Sequence, residues 1–290
     1  FILFGKNGQV GNELQKTLLK EYDLLMPDRS EVDFLDHKSI EKIITHYRPD
    51  LIINAAAYTN VDLAEEQENK AFSINSEALK VISNLAFKNN SYLIHYSTDY
   101  VFDGNKKGAY IETDFPNPIN IYGRSKLDGE NYIKKSGCSF CIFRTSWVIS
   151  RTGLNFVNNI VKLANEREEL RVIVDQLGVP TSASFIAKIT KEFISNLYNR
   201  NQGVYHLVPN GLTNWYELTI YILKYLSKKR YKLKLLPNLV VPIKSIQYKT
   251  TAKRPLNSEL CNLKISTELG IELPLWNHTL DPILESIINE

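Results

Sequence analysis

Three groups of residues in the first half of the chain have the types and spacing that chemistry requires. The first is Gly5-Lys6-Asn7-Gly8-Gln9-Val10-Gly11, a G-x-x-G-x-x-G loop between an apolar run and a helix-like stretch. Glycines there permit a tight turn and let backbone N–H groups at a helix N-terminus approach a pyrophosphate. Three glycines alone also suit an ordinary turn. The strand–turn–helix setting is what the dinucleotide fingerprint demands, and Asp28, 17 positions after Gly11, sits close to where an acid would bind the adenosine ribose. No Gly-Lys-Ser/Thr follows, so this is not an ATP-binding P-loop.

The second group is Tyr122-Gly123-Arg124-Ser125-Lys126, opening a helix that runs to about Lys135. Tyr and Lys at i and i+4 share a helix face. An ammonium within about 4–6 Å lowers a phenol from its ordinary pKa of about 10. Tyr122 then reads as a proton donor to an alkoxide formed by hydride transfer. An ordinary surface Tyr–Lys pair has the same spacing, and the weight comes from position downstream of the glycine loop. The third group is Tyr96-Ser97-Thr98-Asp99-Tyr100-Val101-Phe102, at the end of an apolar run. The carboxyl ends of strands carry ligand chemistry in open parallel sheets. Thr98 is placed to bond a substrate carbonyl, with Asp99 and Tyr100 beside it; a polar turn that merely ends a strand is the alternative.

A scaffold must bring these groups together. Phe1–Phe4, Leu24–Met26, Leu51–Ile53, Tyr92–Tyr96 and Phe140–Phe143 read as strands, hydrophobic throughout as in a covered parallel sheet. Gly8–Leu19, Ser39–Tyr47 and Gln67–Asn89 read as helices between them. This alternation predicts a doubly wound α/β sheet of Rossmann type over residues 1–148. Beyond it, Asn155–Asn165, Phe185–Tyr198 and Trp215–Ser227 read as helices and Gly203–Leu207 as a strand. Pro237, Pro242, Pro255, Pro274 and Pro282 punctuate the rest. Residues 149–290 are therefore expected to form mainly a smaller, loop-rich substrate-binding lobe, with segments near 185–207 returning to the first domain.

Composition bounds the partners. Lys plus Arg number 35 against 32 Asp plus Glu, a net charge of +3, without the basic excess of a nucleic-acid binder. Three cysteines cannot make a disulfide framework, and no apolar run is long enough for a membrane span. The opening Phe1-Ile2-Leu3-Phe4 lacks the charged region and cleavage site of a signal peptide, so the expectation is cytoplasmic. Cys138 and Cys141 form a C-x-x-C with no second pair, and Lys228-Lys229-Arg230 reads as the solvated end of a helix.

The three groups together resemble the extended short-chain dehydrogenase/reductase superfamily. With Asn54-Ala55-Ala56-Ala57-Tyr58-Thr59-Asn60-Val61-Asp62, Phe143-Arg144-Thr145-Ser146-Trp147, Asp175-Gln176-Leu177-Gly178-Val179-Pro180-Thr181 and Arg254-Pro255-Leu256-Asn257-Ser258, the chain resembles the dTDP-4-dehydrorhamnose reductase family along nearly its whole length. The resemblance implies NAD(P)H-dependent reduction of a 4-keto nucleotide-sugar, with Thr98, Tyr122 and Lys126 as the catalytic set. It implies that Gly8, Gln9 and Val10, in the cofactor-binding loop that Gly5 and Gly11 bound, meet the pyrophosphate, that Asp28 holds the adenosine ribose, and that Asp33 and Phe34 flank the adenine. Ala57, Tyr58 and Thr59 would line the cofactor, and Tyr96 and Lys126 the nicotinamide ribose. Thr98, Asp99, Tyr100, Trp147 and Arg254 fall on the substrate side.

Cofactor choice stays open: Asp28 favours NADH, whereas Arg29 and Lys6 suit the extra phosphate of NADPH. Some members hold magnesium at a dimer interface through a glutamate after the glycine loop and another after the Pro-Thr motif. Glu13 matches the first, but Ser184 occupies the second position, and a neutral hydroxyl is a poor ligand for a hard dication. The sequence therefore argues against the metal and that dimer, and leaves monomer or homodimer open. A related epimerase or dehydratase is an alternative, although dehydratases place a glutamate where Tyr100 stands. A non-catalytic regulatory homologue is another.

Overall fold

The apolar runs become strands because both of their faces are covered. In the computed structural model, which describes residues 1–195, 197 and 202–289, five strands pair in parallel. They are β1 (Ile2–Phe4), β2 (Leu51–Asn54), β3 (Tyr92–Thr98), β4 (Ser139–Thr145) and β5 (Gly203–His206), in that order across the sheet. The register sets Leu3 opposite Ile53, Ile53 opposite Ile94, and Phe143 opposite Tyr205. Successive side chains go to opposite faces. Leu3, Ile53, Ile94 and Phe143 pack under α1 (Gln9–Leu18) and α5 (Ala183–Ser195), through Leu14, Leu18, Phe185 and Phe193. Ile2, Phe4, Ile52 and Ile142 face α2 (His37–Tyr47), α3 (Ala78–Asn89) and α4 (Ile121–Lys135), through Ile40, Ile44, Leu79, Ile82 and Ile133. The fold is the doubly wound α/β sheet that the alternation predicted.

From β1 the chain passes to the sheet edge at Leu25, then returns to β2 on the other side of β1. The strand order therefore reverses at β1 and β2. A crevice for ligand opens at the carboxyl ends of strands at such a point. A separate apolar core joins Val157 and Ile160 to Leu218, Ile222 and Leu226 and to Leu280, Ile283 and Leu284.

Three local expectations are corrected. Leu24–Met26 does not form a strand; Leu25 alone bridges Ile2, exchanging hydrogen bonds with Phe1 and Leu3. Pro27 follows with no N–H to donate, and the Met26 carbonyl accepts from Lys6 Nζ instead. The long helix expected over Gln67–Asn89 is interrupted by a π turn at Ser73–Glu77, where weak helix formers cluster and the Asn75 side chain bonds the Tyr58 backbone. Pro282 does not break structure but lies inside the helix Trp276–Ile288, because burial of Leu280, Ile283 and Leu284 outweighs one lost hydrogen bond. A short helix at Val61–Glu66, capped by Asn60 on the Leu63 N–H, went unread. The helix read to Tyr198 is seen through Ser195; Tyr198 lies outside the described residues.

One ion pair fixes α4 on the sheet. Glu130 is fully buried and receives Arg144 Nε at 2.8 Å and Nη2 at 2.6 Å, while Lys134 adds a third contact at 2.9 Å. Burial alone would raise the Glu130 carboxyl, but the Arg144 charge and its hydrogen bonds prevail and hold it well below the usual carboxylate range. The Arg144 guanidinium lies over the Phe102 ring. Arg144→Met should strand a buried carboxylate and lower stability in urea unfolding by about 3 kcal/mol. Pairing it with Glu130→Leu should recover most of that loss; a single variant within about 0.5 kcal/mol of wild type would show that the pair anchors nothing.

Candidate active site

The glycine loop touches the loop after β2. Gly5 has φ +84, and a Cβ on it would lie 2.5 Å from the Ala56 nitrogen; one on Gly11 would lie 2.0 Å from the Gly5 carbonyl oxygen. A side chain at Gly5 would force the two loops apart, and one at Gly11 would break the glycine turn itself. Gly8 is the N-cap of α1, and no side chain among the described residues caps that helix, so its first-turn N–H groups form an anion seat. The turn thus fits the pyrophosphate of a dinucleotide. The Gln9 side chain is committed elsewhere: its Oε1 accepts from Ser150 Oγ at 2.9 Å and Asn155 Nδ2 at 3.2 Å. Its backbone and that of Val10, whose side chain packs into the core, remain for the ligand.

At the adenine end, Asp28 Oδ1 accepts from Ser30 N and Oγ and from Glu31 N, and the Ser30 bonds hold its carboxyl below the usual range. Arg29 beside it is exposed. Asp33 accepts from the Leu35 N–H. Phe34 differs from the sequence reading: its ring is buried edge-on against Phe4 at 5.5 Å, so it is a core side chain rather than a free face for adenine. Ala57 and Tyr58 are half-buried and Thr59 exposed, and Asn75 clamps the Tyr58 backbone through both amide atoms, at 2.8 and 3.0 Å.

Tyr122, Thr98 and Lys126 come together at the carboxyl end of β3. Asn120 caps α4 through the Gly123 N–H at 2.8 Å, which sets Tyr122 in the first turn. A Cβ on Gly123 would lie 2.1 Å from the Tyr100 carbonyl oxygen, so only glycine lets the helix approach this closely. Thr98 accepts from the Tyr100 N–H at 3.2 Å and donates to Asp99 Oδ1 at 3.0 Å, and the Tyr122 phenol lies close enough to feel its hydroxyl. The expected lowering of that phenol by Lys126 is not what the protein shows. Burial pushes Tyr122 well above its ordinary value, against the pull of the nearby Thr98 hydroxyl. Lys126 Nζ turns instead to the Tyr96 carbonyl at 2.6 Å and His95 Nε2 at 3.2 Å, and burial pulls its pKa down to about 7. The Tyr96 phenol points away, sharing a 2.7 Å hydrogen bond with Thr190 on α5, so Tyr96 offers this cluster its backbone rather than its side chain.

Asp99 is buried and pushed up to about 6 by that burial, with the nearby Ser258 and Thr98 hydroxyls pulling the other way. Tyr100 packs edge-to-face on Tyr122 at 5.6 Å. Arg254 forms a forked pair with Asp62, at 2.6 and 3.1 Å, tying the C-terminal segment to the helix after β2. Its guanidinium is therefore already shared before any substrate arrives. Trp147 has φ +44 and stacks on Trp215 at 3.4 Å, with Gly178 against its indole. Glu13 pairs with Lys16, and Ser184 shares a hydrogen bond with Ser182. Among the described residues no three His, Cys, Asp or Glu side chains gather as a metal site, and no helix is long and apolar enough to cross a membrane.

Sequence reasoning missed Asn54, Asn75, His95, Ser125 and Glu130, which position the cluster from behind. Asn75 Nδ2 donates to Ser125 Oγ at 3.0 Å, and Ser125 donates to the Tyr122 carbonyl at 2.8 Å. The available signal was polar residues inside apolar periodicities: Glu130 one turn beyond Lys126, and His95 within a strand.

The family model described as the RmlD substrate binding domain matches residues 1–288. A dTDP-4-dehydrorhamnose reductase of Escherichia coli is 39% identical, covering 95% of this chain and 93% of its own length. One from Burkholderia thailandensis is 36% identical, covering 100% and 99%. The crystal structure of the Bacillus anthracis dTDP-4-dehydrorhamnose reductase in complex with NADP superposes with a TM-score of 0.89 at 32% identity, covering 98% of each chain. With the glycine loop, the Thr98–Tyr122–Lys126 cluster and the Asp62–Arg254 tie all within the matched span, the chain belongs to the RmlD family of dTDP-4-dehydrorhamnose reductases.

Proposed function

We infer that this chain reduces the 4-keto group of dTDP-4-dehydro-L-rhamnose to dTDP-L-rhamnose, using NADPH or NADH. The observation that carries the reading is the meeting of Thr98, Tyr122 and Lys126 at the strand ends, next to a glycine-loop helix that has no side-chain cap. The reduced nicotinamide supplies a hydride to the sugar C4 carbon. Tyr122 donates its phenolic proton to the O4 oxygen, so hydride and proton together make the alcohol. Burial suits that role, because a phenol raised above its ordinary value stays protonated through neutral pH. A secondary alkoxide is more basic still, and the transfer remains downhill. Thr98 orients the carbonyl, and Lys126 holds the nicotinamide ribose. The Gly5–Gly11 turn seats the pyrophosphate through its N–H groups, and Asp28 with Arg29 meets the adenosine ribose.

Residues 1–148, with the helix and strand between 185 and 207, carry the cofactor in this reading, and 149–290 mainly carry the sugar nucleotide. Trp147, Asp99, Tyr100 and Arg254 line the sugar side. All of these residues come from one chain, so a monomer and a homodimer serve equally, and the work belongs in the cytoplasm where nucleotide-sugars are made. Tyr100, in place of a glutamate, leaves a dehydratase without its extra acid.

Following the absorbance of NADPH and NADH with dTDP-4-dehydro-L-rhamnose should show oxidation of one cofactor per ketone consumed; no turnover with either would favour the regulatory homologue. Tyr122→Phe should lower kcat by roughly 10²–10⁴-fold with little change in cofactor affinity. Normal turnover in that variant would remove Tyr122 as donor. Trp147→Ala should raise KM for the sugar nucleotide more than KM for the cofactor, and equal rises would take it out of the sugar side.

A further inference from the structure

The Gln9 side chain joins two parts of the chain that lie 139 to 146 positions apart. Gln9 is the first residue of α1, so its backbone N–H belongs to the anion seat. Its side-chain amide meets the segment after Trp147 instead. Oε1 lies 2.9 Å from Ser150 Oγ and 3.2 Å from Asn155 Nδ2, and Nε2 lies 3.5 Å from the Val148 carbonyl. Asn155 Oδ1 accepts from the Asn158 N–H at 3.1 Å, which caps the helix Phe156–Glu166 and leaves Nδ2 as the donor to Gln9. Ser150 has one proton for two acceptors, Gln9 and the Thr152 carbonyl, so the Asn155 amide is the fixed partner.

This segment continues into the aromatic stack around Trp147. Phe156 lies 4.4 Å from Trp215, which stacks on Trp147 at 3.4 Å, ring centre to ring centre. At the other end the Trp147 carbonyl accepts from the Thr181 N–H at 3.1 Å, and Val148–Ile149 pairs with Thr181–Ser182. Between these ends residues 151–154 are exposed, and amides rather than apolar burial hold them. Asn155 Nδ2 donates to the Ser150 carbonyl at 2.8 Å, and Asn158 Nδ2 to the Arg151 and Gly153 carbonyls at 3.1 and 2.9 Å. Gln9 is the member of that set that stands on the glycine loop. A segment ordered by a few such hydrogen bonds opens more readily than a core element.

We propose that the Gln9 side chain is a positioning residue that couples the two ligands. A pyrophosphate on the Gly8–Val10 turn fixes the Gln9 backbone. The Gln9 amide then holds the Ser150–Asn155 segment, and Phe156 and Trp215 hold the Trp147 indole against which the sugar nucleotide packs. Ordering that segment costs conformational entropy, and the ligand that arrives second meets it already ordered. The coupling is reciprocal, so the sugar nucleotide tightens the cofactor by the same factor. It rests on the reading above that the pyrophosphate sits on this turn and the sugar nucleotide on Trp147.

The test is calorimetric titration with the reduced cofactor, whichever of NADPH and NADH binds more tightly, and dTDP-L-rhamnose. The two cannot react, because the sugar is already reduced. Each is titrated alone and with the other saturating. In the wild type each should bind about tenfold more tightly when the other is present. Gln9→Met keeps the length of the side chain without its polar atoms, and the tightening should fall below about twofold. Asn155→Asp keeps the helix cap but turns an acceptor towards Gln9 Oε1; it should give the same loss, and serves if the first variant does not fold. Gln9→Glu retains the acceptor for Asn155 and should keep the tightening, even though its charge weakens the cofactor itself. Loss of the tightening there as well would assign the effect to general disruption and overturn the role. Unchanged tightening in Gln9→Met and Asn155→Asp overturns it too. Binding of both ligands to the wild type without mutual tightening removes the coupling alone, whereas failure to bind either removes the reading of the function with it.

Discussion

The arrangement of this protein depends on a forked ion pair sealed inside it. Glu130 and Arg144 meet through two parallel hydrogen bonds between the middle of α4 and the end of β4. A single contact would let a helix roll on a sheet, whereas a planar fork fixes both its rotation and its height. Taking both charges out of water is costly, and the pair persists because the fork joins them directly, Lys134 adds a further bond to Glu130 and the Phe102 ring covers the guanidinium, whose Nη1 is left without a hydrogen bond among the described residues. With α4 set in this way, Tyr122 reaches Thr98 and Lys126 reaches the end of β3. A helix displaced by even an ångström would leave Lys126 buried without its partners.

Other contacts hold the remaining sides in register. Gly123 lets the first turn of α4 press on the Tyr100 carbonyl, and the π turn at Ser73–Glu77 turns Asn75 inward to bind both Tyr58 and Ser125. Asp62 and Arg254 close the assembly from the C-terminal segment. Each is a polar or steric contact rather than added apolar area, so the site is defined by direction. The large cores supply the stability within which such directional contacts can be kept.

Much of this was legible in the residues. Strands that bury both faces announce themselves as unbroken apolar runs, and the glycine loop and Tyr122-Gly-Arg-Ser-Lys126 lie where local spacing put them. What could not be read was set by partners distant in sequence. The π turn forms because Asn75 finds Tyr58 and Ser125, and the helix around Pro282 survives because a core on other elements covers it. Phe34 and Tyr96 were placed by motif position, but a motif does not say which way a ring turns; Phe4 and Thr190 decide that.

The segment that replaces the expected second strand has a consequence of its own. Leu25 touches the sheet through one pair of backbone bonds, and the turn from Asp28 to Glu31 is closed by its own side chains rather than by the ladder. Substitutions in that turn leave the sheet's hydrogen bonding unchanged. If Asp28 and Arg29 meet the adenosine ribose as proposed above, inheritance or laboratory selection can rewrite them to exchange one nicotinamide reductant for the other, as an adapter is swapped on a fixed machine, with no compensating change in the interior.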